Sequence, residues 1–126
     1  MKDYKKYYPI AATPDQVYLA LTTETTIQLW TGDQAEMKPE PGTEFSMWSG
    51  AIVGLNLEFE KDKKIMQQWY FGTENEPSIV TIKLHPDGDN ATSVELRHTN
   101  IPDDDYDDIV QGWNEVYFES LQDFYK

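Results

Sequence analysis

The feature that most restricts the fold is a change in hydrophobic period close to Asp103. Between Phe45 and His98 inward and outward positions alternate. One set is Phe45 and Met47, then Val53, Leu55, Leu57 and Phe59, then Ile65, Gln67, Trp69 and Phe71, then Val80, Ile82 and Leu84, then Val94, Leu96 and His98. A period of two puts alternate side chains on one face of a strand, so these segments predict half-buried antiparallel strands. Turn-forming residues separate them at 39–42, 49–50, 61–63 and 86–89. From Asp103 onward the period lengthens to about 3.6 residues, that of a helix. Tyr106, Ile109/Val110, Trp113, Val116/Tyr117, Leu121 and Phe124 then make one stripe. Upstream, residues 3–11 are rich in β-formers. Thr13-Pro14 offers an N-cap followed by proline at the first helical position. Short helices are expected to Leu21 and over 22–30, the second stopped by Thr31-Gly32. This order predicts an α+β domain of the helix-grip type. A curved antiparallel sheet of about six or seven strands wraps a long C-terminal helix, with two short helices after the first strand. No repeat, linker or low-complexity stretch interrupts residues 1–126, so one domain is expected.

Charge and composition exclude several classes of function. The chain carries 23 acidic against 10 basic residues, a net charge of −13. Such a surface repels phosphate backbones and anionic headgroups, so neither nucleic acid nor membrane is an expected partner. The absence of cysteine removes disulfides, thiolate catalysis and thiolate zinc sites. No signal-like or membrane-spanning apolar run occurs, and a soluble, cytoplasmic protein is expected. Asp103, Asp105 and Asp107 are spaced like the start of a calcium loop. However, Asp108 stands where the loop needs glycine, and Asn114 where it needs a closing glutamate. The acidic run reads instead as a favourable start to the last helix, and no metal site or cofactor is expected.

No nucleophile elbow, phosphate loop or dinucleotide fingerprint is present, so no catalytic residue is assigned. Gly50 and Gly54 bracket Ala51-Ile52-Val53, a pattern that suits close backbone approach and curvature. The informative departure is polar residues at inward positions, Gln67 between Ile65 and Trp69, and His98 after Leu96. One reading is hydrogen bonding inside the core, or strand-end exposure for His98. The other is a pocket, apolar with a few convergent polar groups.

The succession Pro41-Gly42-Thr43-Glu44-Phe45, Gly50-x-x-x-Gly54, Ile65-x-x-x-Trp69, Val80-Thr81-Ile82 and Gly112-Trp113 resembles a known family. It is similar to the C-terminal domain of the activator of heat-shock protein 90 ATPase, in the START-like helix-grip superfamily. The segment from Gln111 to Glu119 is an especially close likeness to that domain's last helix. The resemblance implies the fold and a cavity between sheet and helix, and no single activity. The resemblance lies in the C-terminal domain, so no counterpart of that activator's N-terminal domain is expected within residues 1–126. Three functions remain open. The first is non-enzymatic binding of a small apolar or amphipathic ligand. Its lining would be Val53, Leu55, Leu57, Gln67, Trp69 and Val80, with Ile82, Leu96, His98, Ile109, Trp113 and Tyr117. The second is a protein-interaction module that touches a chaperone. The third is a cyclase- or hydratase-like enzyme with His98 as general base.

Overall fold

The computed structural model describes residues 1–72 and 76–126. Strand β1 (Lys2–Ile10) leads into helices α1 (Pro14–Thr22) and α2 (Glu24–Thr31). The chain then makes five strands in succession: β2 (Glu44–Met47), β3 (Ile52–Glu60), β4 (Lys64–Trp69), β5 (Ser78–Pro86) and β6 (Thr92–Ile101). A 3₁₀ turn at Asp103–Asp105 opens the C-terminal helix. That helix consists of α3 (Tyr106–Gly112), a π-helical turn (Trp113–Tyr117) and α4 (Phe118–Phe124). The six strands form one antiparallel sheet in the order β1-β6-β5-β4-β3-β2, so β1 closes onto the last strand while the others follow as a meander. This is the curved-sheet, helix-grip architecture.

Local chemistry explains the elements. Proline at the start of α1 matches the first helical position, and the Thr13 amide donates to Gln16 Oε1 at 3.0 Å. Gly32 ends α2 in the left-handed region at φ 72°. Gly54 is required by crowding: a Cβ there would lie 2.0 Å from the Gln68 carbonyl oxygen and 2.8 Å from the Phe45 ring. The backbone of β4 and the Phe45 ring of β2 thus approach β3 closely at this position.

The inner face of the sheet buries Tyr8, Ile10, Ile65, Ile82, Val94 and Leu96 against Val17, Leu21 and Ile27 of α1 and α2. Trp113, Tyr117, Phe118 and Leu121 of the C-terminal helix complete the same core. Two positions depart from the expected alternation. In β3 the register slips between Asn56 and Glu58, and Leu57 is the extra residue of a β-bulge. Upstream of it Gly54 pairs with Trp69 and Asn56 with Gln67, so Gly54 and Asn56 face the core. Val53, Leu55 and Leu57 therefore do not line the interior: Val53 is exposed and the two leucines are half-buried on the outer face. In the C-terminal helix the π-helical turn inserts a residue, which brings Phe118 into the core and leaves Val116 and Phe124 largely exposed.

Candidate functional site

All four tryptophans of the chain gather around one tyrosine. Tyr117 makes ring contacts with Trp30 at 5.3 Å, Trp48 at 5.7 Å, Trp69 at 6.5 Å and Trp113 at 4.6 Å between centroids. Trp69 and Trp113 stack at 4.6 Å with planes 26° apart. Each ring is held from a different element. Trp30 Nε1 donates to the Ala20 carbonyl at 2.7 Å, fixing α2 to α1. Trp48 follows β2 in a loop where Trp48, Ser49 and Gly50 all have positive φ, at 51°, 55° and 92°. Two successive non-glycine residues in that region are strained, a conformation held by surrounding contacts such as those of the Trp48 indole with Trp30 and Tyr117. The loop is tied to the end of α2: the Ser49 amide donates to the Gln34 carbonyl at 3.0 Å and its hydroxyl to Asp33 Oδ1. That hydroxyl also lowers the Asp33 carboxyl below its ordinary value.

Two buried polar chains run beside this cluster. In the first, Trp69 Nε1 donates to Gln67 Oε1 at 3.0 Å and Gln67 Nε2 to Asn56 Oδ1 at 3.3 Å. Asn56 Nδ2 then donates to the Lys38 carbonyl at 3.2 Å. In the second, Trp113 Nε1 lies 3.1 Å from His98 Nδ1, and His98 Nε2 lies 2.8 Å from Ser78 Oγ. An indole can only donate, so Nδ1 must accept and the neutral ring carries its proton on Nε2. His98 therefore donates to Ser78, which in turn donates to the Thr99 carbonyl at 3.2 Å. Both ring nitrogens are occupied inside the core. Burial lowers the His98 pKa from the ordinary 6.5 to about 4, with the Asp3 carboxylate opposing the shift weakly. The pair is thus no activated serine: the imidazole donates to the hydroxyl oxygen and has no free lone pair facing it with which to take the hydroxyl proton.

The open space lies on the other side of the aromatic cluster. A partly open cleft of about 420 Å³ runs between the C-terminal helix and the β2–β3 connection. Buried Trp69, Trp113 and Tyr117 line it together with half-buried Trp48, Ile52 and Ile109, and exposed Asp108 and Val116 border it. Its size and apolar lining are those of small-molecule sites. Tyr117 is buried, and its hydroxyl has no hydrogen-bond partner among the described residues. Burial alone raises its pKa well above the usual tyrosine range, so it stays protonated. Gly112 also lines the cleft. It has ordinary helical angles, φ −61° and ψ −42°, and a Cβ built there would meet nothing within 4 Å.

The helix above the cleft is pinned by Asn114. Its Nδ2 donates to the Val110 carbonyl at 2.8 Å and to the Tyr4 hydroxyl at 2.9 Å. Its Oδ1 accepts from Lys6 Nζ at 2.7 Å and the Tyr8 hydroxyl at 2.9 Å. One side chain thereby fastens the π-helical turn to β1, and Tyr8 stacks on Phe118 at 3.9 Å just behind it.

A sequence profile of the family described as activator of Hsp90 ATPase homolog 1-like protein matches residues 11–126. The chain belongs to that family. Among curated members of this activator-like family, the activator of 90 kDa heat shock protein ATPase homolog of Dictyostelium discoideum is 29% identical over 112 residues. The alignment covers 87% of this chain and 29% of that protein. The human homolog 1 is 27% identical over 111 residues, covering 87% of this chain and 33% of its own length. The chain thus spans about a third of these relatives. In structure it is similar to an HSP90 activator from Plasmodium falciparum, with a TM-score of 0.89, 25% identity, and coverage of 98% and 96% of the two chains. An Aha1 dimer from Colwellia psychrerythraea shares the fold with a TM-score of 0.82 at 19% identity, covering 99% and 96%.

In this activator-like chain, the expected lining residues divide into three groups. Trp69, Ile109, Trp113 and Tyr117 line the cleft. Val80, Ile82, Leu96, Gln67 and His98 face inward but lie in the closed core, and the two polar ones are satisfied by protein partners. Val53, Leu55 and Leu57 are on the outer face, moved there by the bulge. The expectations omitted Trp48, Ala51, Ile52, Asp108, Gly112 and Val116. One sequence signal pointed at this region: a glycine in the middle of a long helical stripe, a position where glycine costs stability and alanine does not.

Proposed function

We propose that this member of the activator-like family is a non-enzymatic binding module that holds a small amphipathic molecule in the cleft beneath the C-terminal helix. Gly112 carries the reading. Neither its backbone angles nor its neighbours require glycine, and alanine would favour the helix by about 1 kcal/mol. What the missing Cβ does is leave room in the cleft. The unpartnered Tyr117 hydroxyl supports the same reading, because a buried hydroxyl without a partner costs about 1–3 kcal/mol and a ligand's polar group would relieve that cost. With both nitrogens of His98 engaged in the core, the histidine is not available as a general base, so we read the protein as a binder, acting in the cytoplasm, and not as a cyclase or hydratase.

Gly112→Ala tests this directly. The variant should unfold about 0.5–1 kcal/mol later than wild type in urea while binding neutral amphipaths more weakly. Gly112→Leu should remain folded and lose binding altogether. Unchanged affinity in both variants contradicts the proposal.

A second reading is favoured by the family itself: contact with a chaperone of the heat-shock protein 90 class, for which the matched relatives are named. The two readings are compatible, since of the acidic run at the start of the C-terminal helix the cleft takes in Asp108 alone.

A further inference from the structure

We infer that the cleft selects cations, taking a small molecule with an apolar or aromatic body and a methylated ammonium head; this rests on the ligand-binding reading above. Three observations converge. Three tryptophans and a tyrosine line the cleft; with Trp69 stacked on Trp113 and Trp113 on Phe118, the half-buried Trp48 is the ring best placed to offer a face to a weakly hydrated cation. Asp108 is the acidic side chain that lines the cleft; it is exposed, and its carboxyl group has no ion pair or hydrogen bond with any described residue. No lysine or arginine stands among the described residues that line the space. An anionic head would therefore enter against Asp108 and against the field of a chain with net charge −13, with no cation to receive it. A neutral hydroxyl head could hydrogen-bond to Tyr117 or Asp108 but would gain nothing from the field. A cation gains the aromatic lining, the Asp108 carboxylate and the field together. Methylated ammonium fits better than a primary one, because the cleft offers few polar atoms to replace the water a primary ammonium would lose.

The experiment is calorimetric titration at fixed ionic strength with three probes of similar size: phenylbutyl-trimethylammonium, phenylbutanol and phenylbutanesulfonate. The cation should bind about tenfold more tightly than the alcohol, a ratio typical of a partly desolvated cation–π site, and the sulfonate more weakly than both. Asp108→Asn should shrink the cation's advantage to about threefold, the loss expected of one partly exposed charge. Asp104→Asn, which removes an equal charge from the same acidic run but outside the cleft, should leave that advantage intact. If the alcohol binds as tightly as the cation, or if Asp104→Asn shrinks the gap as much as Asp108→Asn does, the cation inference is overturned while ligand binding stands. If none of the three probes binds, both fall.

Discussion

His98 is a histidine kept neutral by its neighbours. The indole of Trp113 needs an acceptor, and the imidazole supplies one only in the tautomer that then donates to Ser78. The consequence is a pH dependence with a defined sign. The folded-state pKa lies below that of the unfolded chain, about 4 against 6.5, so the unfolded chain binds the extra proton. Stability from this group is complete above about pH 6.5 and is lost as the pH falls toward 4, by about 3 kcal/mol in total. Urea unfolding between pH 7 and 4 should show that slope, and His98→Gln should flatten it whatever its own stability. A slope unchanged in the variant would mean that the ring protonates in place. At this scale the sequence was half legible. The inward positions of Gln67 and His98 followed from alternation. Their partners did not, because Asn56 and Ser78 lie on neighbouring strands, and only the register decides whether they meet.

Among the elements, two insertions of a single residue decide which side chains reach the cleft. The bulge at Leu57 turns Val53 and Leu55 outward and gives the inner face to Gly54 and Asn56. The π-helical turn at Trp113–Tyr117 sets Tyr117 and Phe118 side by side in the core. Strands and helices were legible because hydrophobic period is a sum over many residues. An insertion is a single event, and nothing in Leu57 or Asn114 as residue types announces it. Asn114, noticeable in the sequence only as the wrong residue for a calcium loop, turns out to hold the π-helical turn through four hydrogen bonds. Asn114→Leu keeps the volume and removes the partner of the Tyr4 and Tyr8 hydroxyls, while the Val110 carbonyl keeps the Trp113 amide. It should destabilise by about 2–3 kcal/mol and speed amide exchange from Trp113 to Phe118. A loss below about 0.5 kcal/mol, typical of an unremarkable surface site, would mean that packing alone fixes the turn.

For the molecule as a whole, the acidic surface and the apolar cleft meet at Asp108. Among the described residues no helix is long and apolar enough to cross a membrane. Net charge of −13 makes any contact with a basic chaperone surface strongly dependent on ionic strength. Titration against a chaperone of the heat-shock protein 90 class should therefore give an affinity that falls by about tenfold or more between 50 and 300 mM salt, if that contact exists. Salt-independent binding would place the contact on an apolar face instead, of which the outer surface around Val53, Leu55 and Met66 is the exposed example. The central claim is where a small molecule goes. An amide chemical-shift map during titration with phenylbutanol answers it most directly. The account predicts saturable shifts at Ala51, Ile52, Gly112 and Val116, with the indole protons of Trp69 and Trp113 moving in step. Shifts centred on Val53, Leu55 and Met66, or none that saturate, would contradict it.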